Sequence, residues 1–242
     1  MAQLTQWLNA VNALVWGIPM VVLILGTGLY LQLRLGLLPL RKIGYGFRMI
    51  WQSRRVKEGQ AGDISPYAAL MTALSATVGT GNIAGVATAI AVGGPGALFW
   101  MWMTALVGMA TKYAEVVLAV RFREQNAQGR WVGGPMYAIK NGLGPHWRWL
   151  GTAFAVFGGL AGLGGGAMVQ SNGIATAMEG AFALPLWVSG VVLAALTAAV
   201  ILGGITRIGA VAEKLVPAMC VLYIVCVLWV LGVFFDRIPA AF

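Results

Sequence analysis

The stretch Ser75-Ala-Thr-Val-Gly-Thr-Gly-Asn82-Ile-Ala-Gly85 puts three hydroxyl side chains, three glycines and an asparagine inside an apolar run from Pro66 to Val92. In hydrocarbon an unpaired backbone amide costs several kcal/mol, so unwound chain at that depth survives only around a cavity or a bound ligand. Two half-helices meeting at such a break aim backbone dipoles of opposite sign at one spot, the device by which secondary transporters build ion and substrate sites. The competing reading is packing alone, since small residues are common in membrane helices and let backbones approach. A second polar set, Gln170-Ser-Asn172, follows the glycine-rich run Gly158–Gly166. There the glycines admit close helix neighbours, and the Gln170 amide either bonds an adjacent helix or lines a polar cavity, donating to a carboxylate and accepting from an ammonium. Lys112 and Glu115, three residues apart on a helix, suit an ion pair better than a proton relay.

Composition limits what these residues can belong to. The chain is 60% hydrophobic and 10% charged, with a mean hydropathy of +0.82, which excludes a soluble domain of 242 residues. Cys220 and Cys226 lie in an apolar run and indicate neither a disulfide framework nor a zinc site. His146 sits in a Gly-Pro-rich loop and reads as a surface residue. The N-terminus lacks a basic n-region and a small-residue cleavage site, so the first apolar run is expected to remain in the mature chain.

Six apolar spans are predicted, at roughly 20 residues per crossing: Val11–Leu33, Ser65–Val92, Ala97–Val120, Leu150–Met178, Leu184–Gly203 and Val211–Phe235. The net charge of +9 is unevenly distributed. Arg34, Arg41, Lys42, Arg48, Arg54, Arg55 and Lys57 fall between the first two spans. Arg121, Arg123, Arg130, Lys140 and Arg148 fall between the third and fourth, and Arg207 and Lys214 between the fifth and sixth. The intervening connections, Gly93–Gly96 and Glu179–Ala183, carry no basic residue, and only Arg237 falls on their side. The positive-inside rule then predicts cytoplasmic basic loops and an outside N-terminus. Within Pro39–Lys57, Ile43, Phe47, Ile50 and Trp51 recur at helical spacing among arginines. This reads as an amphipathic helix on an anionic inner leaflet and not as a nucleic-acid site.

Other motifs fail in context. Gly79-Thr-Gly81-Asn-Ile-Ala84 fits the loose pattern G-x-G-x-x-A, but no strand precedes it and no acidic residue stands about 20 positions on. Gly93-Gly-Pro-Gly96 and Gly133-Gly-Pro135 are turn signals, with no Gly-Lys-Ser/Thr after them. Without a Ser-His-Asp set, paired carboxylates or a metal cluster, an enzyme is not expected.

Thr77-Val-Gly-Thr-Gly-Asn-Ile-Ala-Gly85, followed by Gly93-Gly-Pro-Gly-Ala-Leu-Phe-Trp-Met-Trp-Met-Thr-Ala-Leu-Val-Gly108, resembles the signature of the sodium:alanine (alanine or glycine:cation) symporter family. Asn9–Gly17, Thr111–Glu115 and Gly133–Tyr137 look like further segments of it. The resemblance runs through nearly the whole chain and implies an all-α polytopic membrane protein of the leucine-transporter-like inverted-repeat fold. Residues 1–38 would hold a peripheral first transmembrane helix, 39–62 a cytoplasmic amphipathic basic segment, and 63–242 the first five-helix repeat with its helix broken at 75–85. The family chain is longer, so the second repeat is missing, and the 242 residues look like half of a transporter.

The resemblance implies sodium-coupled symport of a small neutral amino acid, alanine or glycine, across a bacterial inner membrane. It also implies that Asn82 and Gln170 contact the zwitterion. The first broken helix would run from inside to outside. Its inner half ends with unpaired carbonyls at Ala76, Thr77 or Val78, suited to sodium or the substrate ammonium. Its outer half begins near Gly81-Asn82 with amides suited to a carboxylate. Glycine at 79 and 81 is expected to permit unusual dihedrals and close approach of the ligand. Gly79, Thr80, Gly81, Asn82 and Gln170 are thus the candidate substrate residues, with sodium as the coupling ion and no other cofactor. Neutral oxygens, with no titratable group among them, favour sodium over protons. Two other classes remain: a channel, distinguished by unsaturated steady currents, and a non-transporting fragment that pairs with a second polypeptide carrying the missing repeat.

Overall fold

The computed structural model describes residues 2–53 and 63–237, and these are overwhelmingly helical. Arg54, Arg55 and Lys57, the rest of the basic segment to Gly62, and residues 238–242 lie outside the described residues. Four helical runs are long and apolar enough to cross a bilayer, a bent pair makes a fifth, and a shorter apolar helix follows. The chain is an all-α polytopic membrane protein.

The first apolar run, expected as one span over Val11–Leu33, is one candidate span, Gln3–Arg34, built of two helices, α1 (Ala2–Val15) and α2 (Ile18–Arg34). Pro19 in the first turn of α2 has no amide to return to Val15, and Gly17 stands at the joint in extended conformation. After the short α3 (Leu38–Arg41) comes α4 (Ile43–Gln52), the amphipathic helix anticipated in the basic connection. The break separates α5 (Pro66–Thr77) from α6 (Ala84–Gly93). Gly94, at φ +71°, and Pro95 turn the chain into α7 (Gly96–Arg121), one residue wider at each end than the predicted Ala97–Val120. The fourth and sixth spans are longer than expected, α9 (Arg148–Phe182) and α11 (Gly204–Val233). Between them α10 (Leu186–Ile201) has 16 residues, about 24 Å at ~1.5 Å per residue.

Two packed pairs hold the inner architecture. Tyr67 and Met71 of α5 meet Ala212 and Val216 of α11, with Ile50 of α4 and Cys220 packed against them. Val216 is only 2% exposed. The α5 start is fixed by Ser65, whose Oγ accepts the Ala68 amide at 3.0 Å, and by Pro66 at the first helical position. The second pair is α2 on α7. A Cβ at Gly28 would sit 2.9 Å from Thr111 Oγ1 and 3.1 Å from the Val107 carbonyl, so only glycine allows this approach. One turn on, Gln32, 4% exposed, donates from Nε2 to the Leu106 carbonyl at 2.9 Å. Gly28→Val should therefore lower the stability of the purified protein by about 1–3 kcal/mol, the usual cost of overpacking. An unchanged thermal midpoint in detergent would mean these helices are not in contact.

The connection from α7 to α9 is more ordered than its charge suggested. Strands β1 (Glu124–Gln125) and β2 (Trp131–Val132) form a small antiparallel hairpin. Asn126 Oδ1 accepts the amides of Gln128 and Arg130, and Gly129 takes φ +74°. Arg123 lies over the Trp131 ring at 4.3 Å. Helix α8 (Pro135–Gly142) follows. From it Lys140 reaches Glu124 at 2.8 Å and Asn141 donates to the same carboxylate at 3.2 Å. The hydrogen bond from Lys140, then that from Asn141, holds the Glu124 carboxyl below its ordinary pKa. His146 lies exposed in the turn Pro145–Trp147.

Candidate functional site

Helix α5 stops at Thr77, Thr80–Asn82 form a single 3₁₀ turn, and the two halves of the broken run meet at 61°. The turn redirects the amides that a continuous helix would return to α5. Gly79 N donates to Asn82 Oδ1 at 3.1 Å, Thr80 N to Gln170 Oε1 at 2.8 Å, and Asn82 N to the Gly79 carbonyl at 3.0 Å. The carbonyls of Ser75, Ala76 and Val78 thereby lose the amides four residues on. The Thr77 carbonyl likewise receives no amide among the described residues. The hydroxyls of Ser75 and Thr77 do not rescue these oxygens, because they bond back to Thr72 and Ala73. Four carbonyls at the end of α5 and just beyond it, Ser75 to Val78, are left without amide partners among the described residues, one more than the expected set of Ala76, Thr77 and Val78.

The outer half opens with the 3₁₀ turn, near the expected Gly81-Asn82, and becomes α-helical at α6. Its first helical residue is Ala84, and no side chain caps it. The amides of Gly81, Ala84, Gly85 and Val86 make no hydrogen bond among the described residues, so of the expected pair Gly81-Asn82 only Gly81 presents a free amide. Asn82 N and Ile83 N are already spent within the 3₁₀ turn, on Gly79 and Thr80 carbonyls.

Gln170 joins the break to α9. Its Oε1 accepts from both Thr80 N, at 2.8 Å, and Thr80 Oγ1, at 2.6 Å. Both lone-pair directions of that oxygen are used, while Nε2 makes no hydrogen bond to the described residues and stays available as a donor. Gly79 packs directly on this carboxamide: a Cβ there would collide with Nε2 and lie 2.9 Å from Cδ and Oε1. The expected dihedral freedom is not used, since Gly79 is extended at φ −157° and neither Gly79 nor Gly81 has a positive φ. Close approach is the reason for glycine at 79. At Gly81 a Cβ meets nothing within 4 Å, so that position faces open space at the break.

The structure thus brings Gly79, Thr80, Asn82 and Gln170 together and leaves Asn172 exposed on the far side of α9. Gly173 was missed. A Cβ there would stand 3.4 Å from Thr80 Oγ1, and its place three residues after Gln170, on the same helix face, was the available signal. The close helix approach expected along the glycine run is not seen at Gly158, Gly159, Gly162 or Gly166, where a Cβ meets nothing within 4 Å. Lys112 and Glu115 form the expected ion pair, at 3.0 Å on the exposed face of α7. Carbonyl oxygens at one helix end, amides at another, and a neutral carboxamide between them can hold a cation beside a zwitterion without a charged side chain.

The model of the sodium:alanine symporter family matches residues 1–242. The chain is 50% identical over 236 residues to the sodium/alanine symporter AgcS of Methanococcus maripaludis, covering 97% of this chain and 52% of that protein. It is 38% identical to the putative sodium/proton-dependent alanine carrier protein YrbD of Bacillus subtilis, over 98% of this chain and 48% of the relative. It is also 38% identical to the probable sodium/glutamine symporter GlnT of the same organism, over 88% and 44%. The chain spans about half the length of the curated relatives it matches.

Proposed function

Because this chain belongs to the sodium:alanine symporter family, a family of transporters and not of enzymes, we propose that it forms the first half of a sodium-coupled symporter of a small neutral amino acid, alanine or glycine, in a bacterial inner membrane. In this reading α1 and α2 make the peripheral span, and the broken run, α7, α9, α10 and α11 make five spans of one repeat. The observation that carries it is the break itself: Ser75–Val78 carbonyls without amide partners, followed at once by a turn that a carboxamide clips through Thr80. Sodium or the substrate ammonium takes the carbonyls, and the carboxylate takes the amides of Ala84–Val86 together with Gln170 Nε2. Gln170 Oε1 is already held by Thr80, so the amide acts on the substrate as a donor only. The relatives' names divide between alanine and glutamine and between sodium and sodium/proton. Neutral oxygens around the break favour sodium, and the absence of a charged side chain among the site residues favours a neutral substrate.

The apolar, unpartnered glycine face of α9 supports a second half, on the same or a separate chain, packing there. The test is uptake of labelled alanine into proteoliposomes holding this chain together with such a half. Saturable uptake driven by an inward sodium gradient is expected. Equal uptake with potassium in place of sodium would sink the coupling, and steady unsaturated currents would make the assembly a channel.

The charge pattern supports an outside N-terminus and basic cytoplasmic loops. With Cys220 and Cys226 replaced by serine, cysteines introduced near Ala2 and at Ala241 should react with an impermeant thiol reagent in intact cells. A cysteine at Gln128, in the hairpin turn, should stay unlabelled. Labelling at Gln128 would invert the topology.

A further inference from the structure

Beyond the break, α3 and α4 leave a cleft of about 660 Å³ against α7, within the range of small-molecule sites. Its walls are mostly apolar, including Leu38, Ile43, Met109 and Val116, and both Lys42 and Lys112 line it. Lys42 makes no ion pair among the described residues, while Lys112 is shared with Glu115. The helix that forms one wall exposes Phe47 and Trp51. The described part of the surrounding segment, from Arg34 to Ser53, has four basic residues and no acidic one. An apolar trough opening between one unmatched ammonium, Lys42, and a second shared with Glu115, on a helix with exposed aromatic rings, suits an amphiphile with a negative head.

We propose that this cleft holds one anionic phospholipid, an acyl chain lying against Leu38, Ile43, Met109 and Val116 and the phosphate at Lys42 and Lys112. Charge complementarity chooses an anionic head over a zwitterionic one. The site has a route to the break. Ile50 on α4 packs against the cluster that Tyr67 and Met71 of α5 form with Ala212 and Val216 of α11, so a lipid that fixes α4 bears on the packing of the inner half of the broken helix. The inference extends the inner-leaflet placement of the basic connection, but binding in detergent does not depend on sidedness. A negative result here would leave the topology standing, and an inverted topology would leave the cleft standing.

The experiment is native mass spectrometry of the purified chain in detergent with phosphatidylglycerol or phosphatidylcholine. One retained phosphatidylglycerol per chain is expected, in preference to phosphatidylcholine and undiminished by excess inorganic phosphate. Each lysine beside an anionic head changes binding by roughly fivefold. With Lys112 partly engaged by Glu115, Lys42→Gln with Lys112→Gln should weaken retention roughly five- to thirtyfold. Arg130→Gln, in the hairpin, removes an equal charge elsewhere and should leave it unchanged. Gly46→Trp is an independent variant without charge change: Gly46 lines the cleft and a Cβ there meets nothing within 4 Å, so the indole fills it and should expel the lipid. Equal retention of both lipids, displacement by phosphate, or indifference to the lysine pair and to Gly46→Trp would overturn the proposal.

Discussion

Gly79→Leu should abolish measurable binding of alanine to the complete transporter while leaving expression and membrane insertion intact. The residue is extended, a conformation leucine adopts without strain, so the backbone itself is not the obstacle. The obstacle is the Gln170 carboxamide, which lies where the new Cβ must go. That carboxamide ends a flexible side chain and can swing away, so the fold survives. Its two hydrogen bonds to Thr80 do not survive, at about 0.5–1.5 kcal/mol each, and the remaining leucine atoms intrude on the space at the break. Together these should weaken binding by more than about a hundredfold, at ~1.4 kcal/mol per factor of ten. Gly81→Ala is the matched control, because its Cβ meets nothing in the chain, and it should fold and bind nearly as the parent does. Unaltered binding by Gly79→Leu would reduce the break to a packing feature.

The second large effect belongs to Gln170. Gln170→Ala removes both the clip on Thr80 and the free Nε2 donor. Hydrogen bonds to charged groups contribute about 1.5–3 kcal/mol, so alanine affinity should fall roughly ten- to hundredfold. Asn172→Ala should cost much less, since Asn172 is exposed and lies about 200° away at ~3.6 residues per turn. Thr80→Val should weaken binding by less than Gln170→Ala, and the two should be non-additive because they share one hydrogen bond, Thr80 Oγ1 to Gln170 Oε1. Equilibrium binding on the four variants of this cycle gives the coupling directly. A large loss in Asn172→Ala with none in Gln170→Ala would put the wrong face of α9 on the break.

The break was legible because its residues are wrong for hydrocarbon: glycines, hydroxyls and an asparagine at mid-span leave no apolar period to continue. Its position within the chain, and the long apolar α7, followed from composition alone. The distinction between Gly79 and Gly81 was not legible. Both are glycine in the same motif, and only the three-dimensional neighbour, Gln170, separates a position crowded by side chain from one facing open space. The 3₁₀ turn that opens the outer half was not legible either, and it consumes the amides of Asn82 and Ile83 before α6 begins. Gln32 gave no signal, because its partner, the Leu106 carbonyl, lies 74 residues away. The hairpin at 124–132 has strands of two residues, too short for alternation to register. The division of the first apolar run at Gly17 was written in Pro19, whose missing amide ends one helix where hydropathy sees a single span.

The most direct measurement is the affinity for alanine of the assembled transporter, by equilibrium binding, with sodium and with choline in its place. If carbonyls of Ser75–Val78 hold a cation beside the substrate, sodium should tighten alanine binding by roughly 5- to 150-fold, and alanine should tighten sodium binding by the same factor. An alanine affinity identical in sodium and in choline would contradict a shared site for ion and substrate at the break.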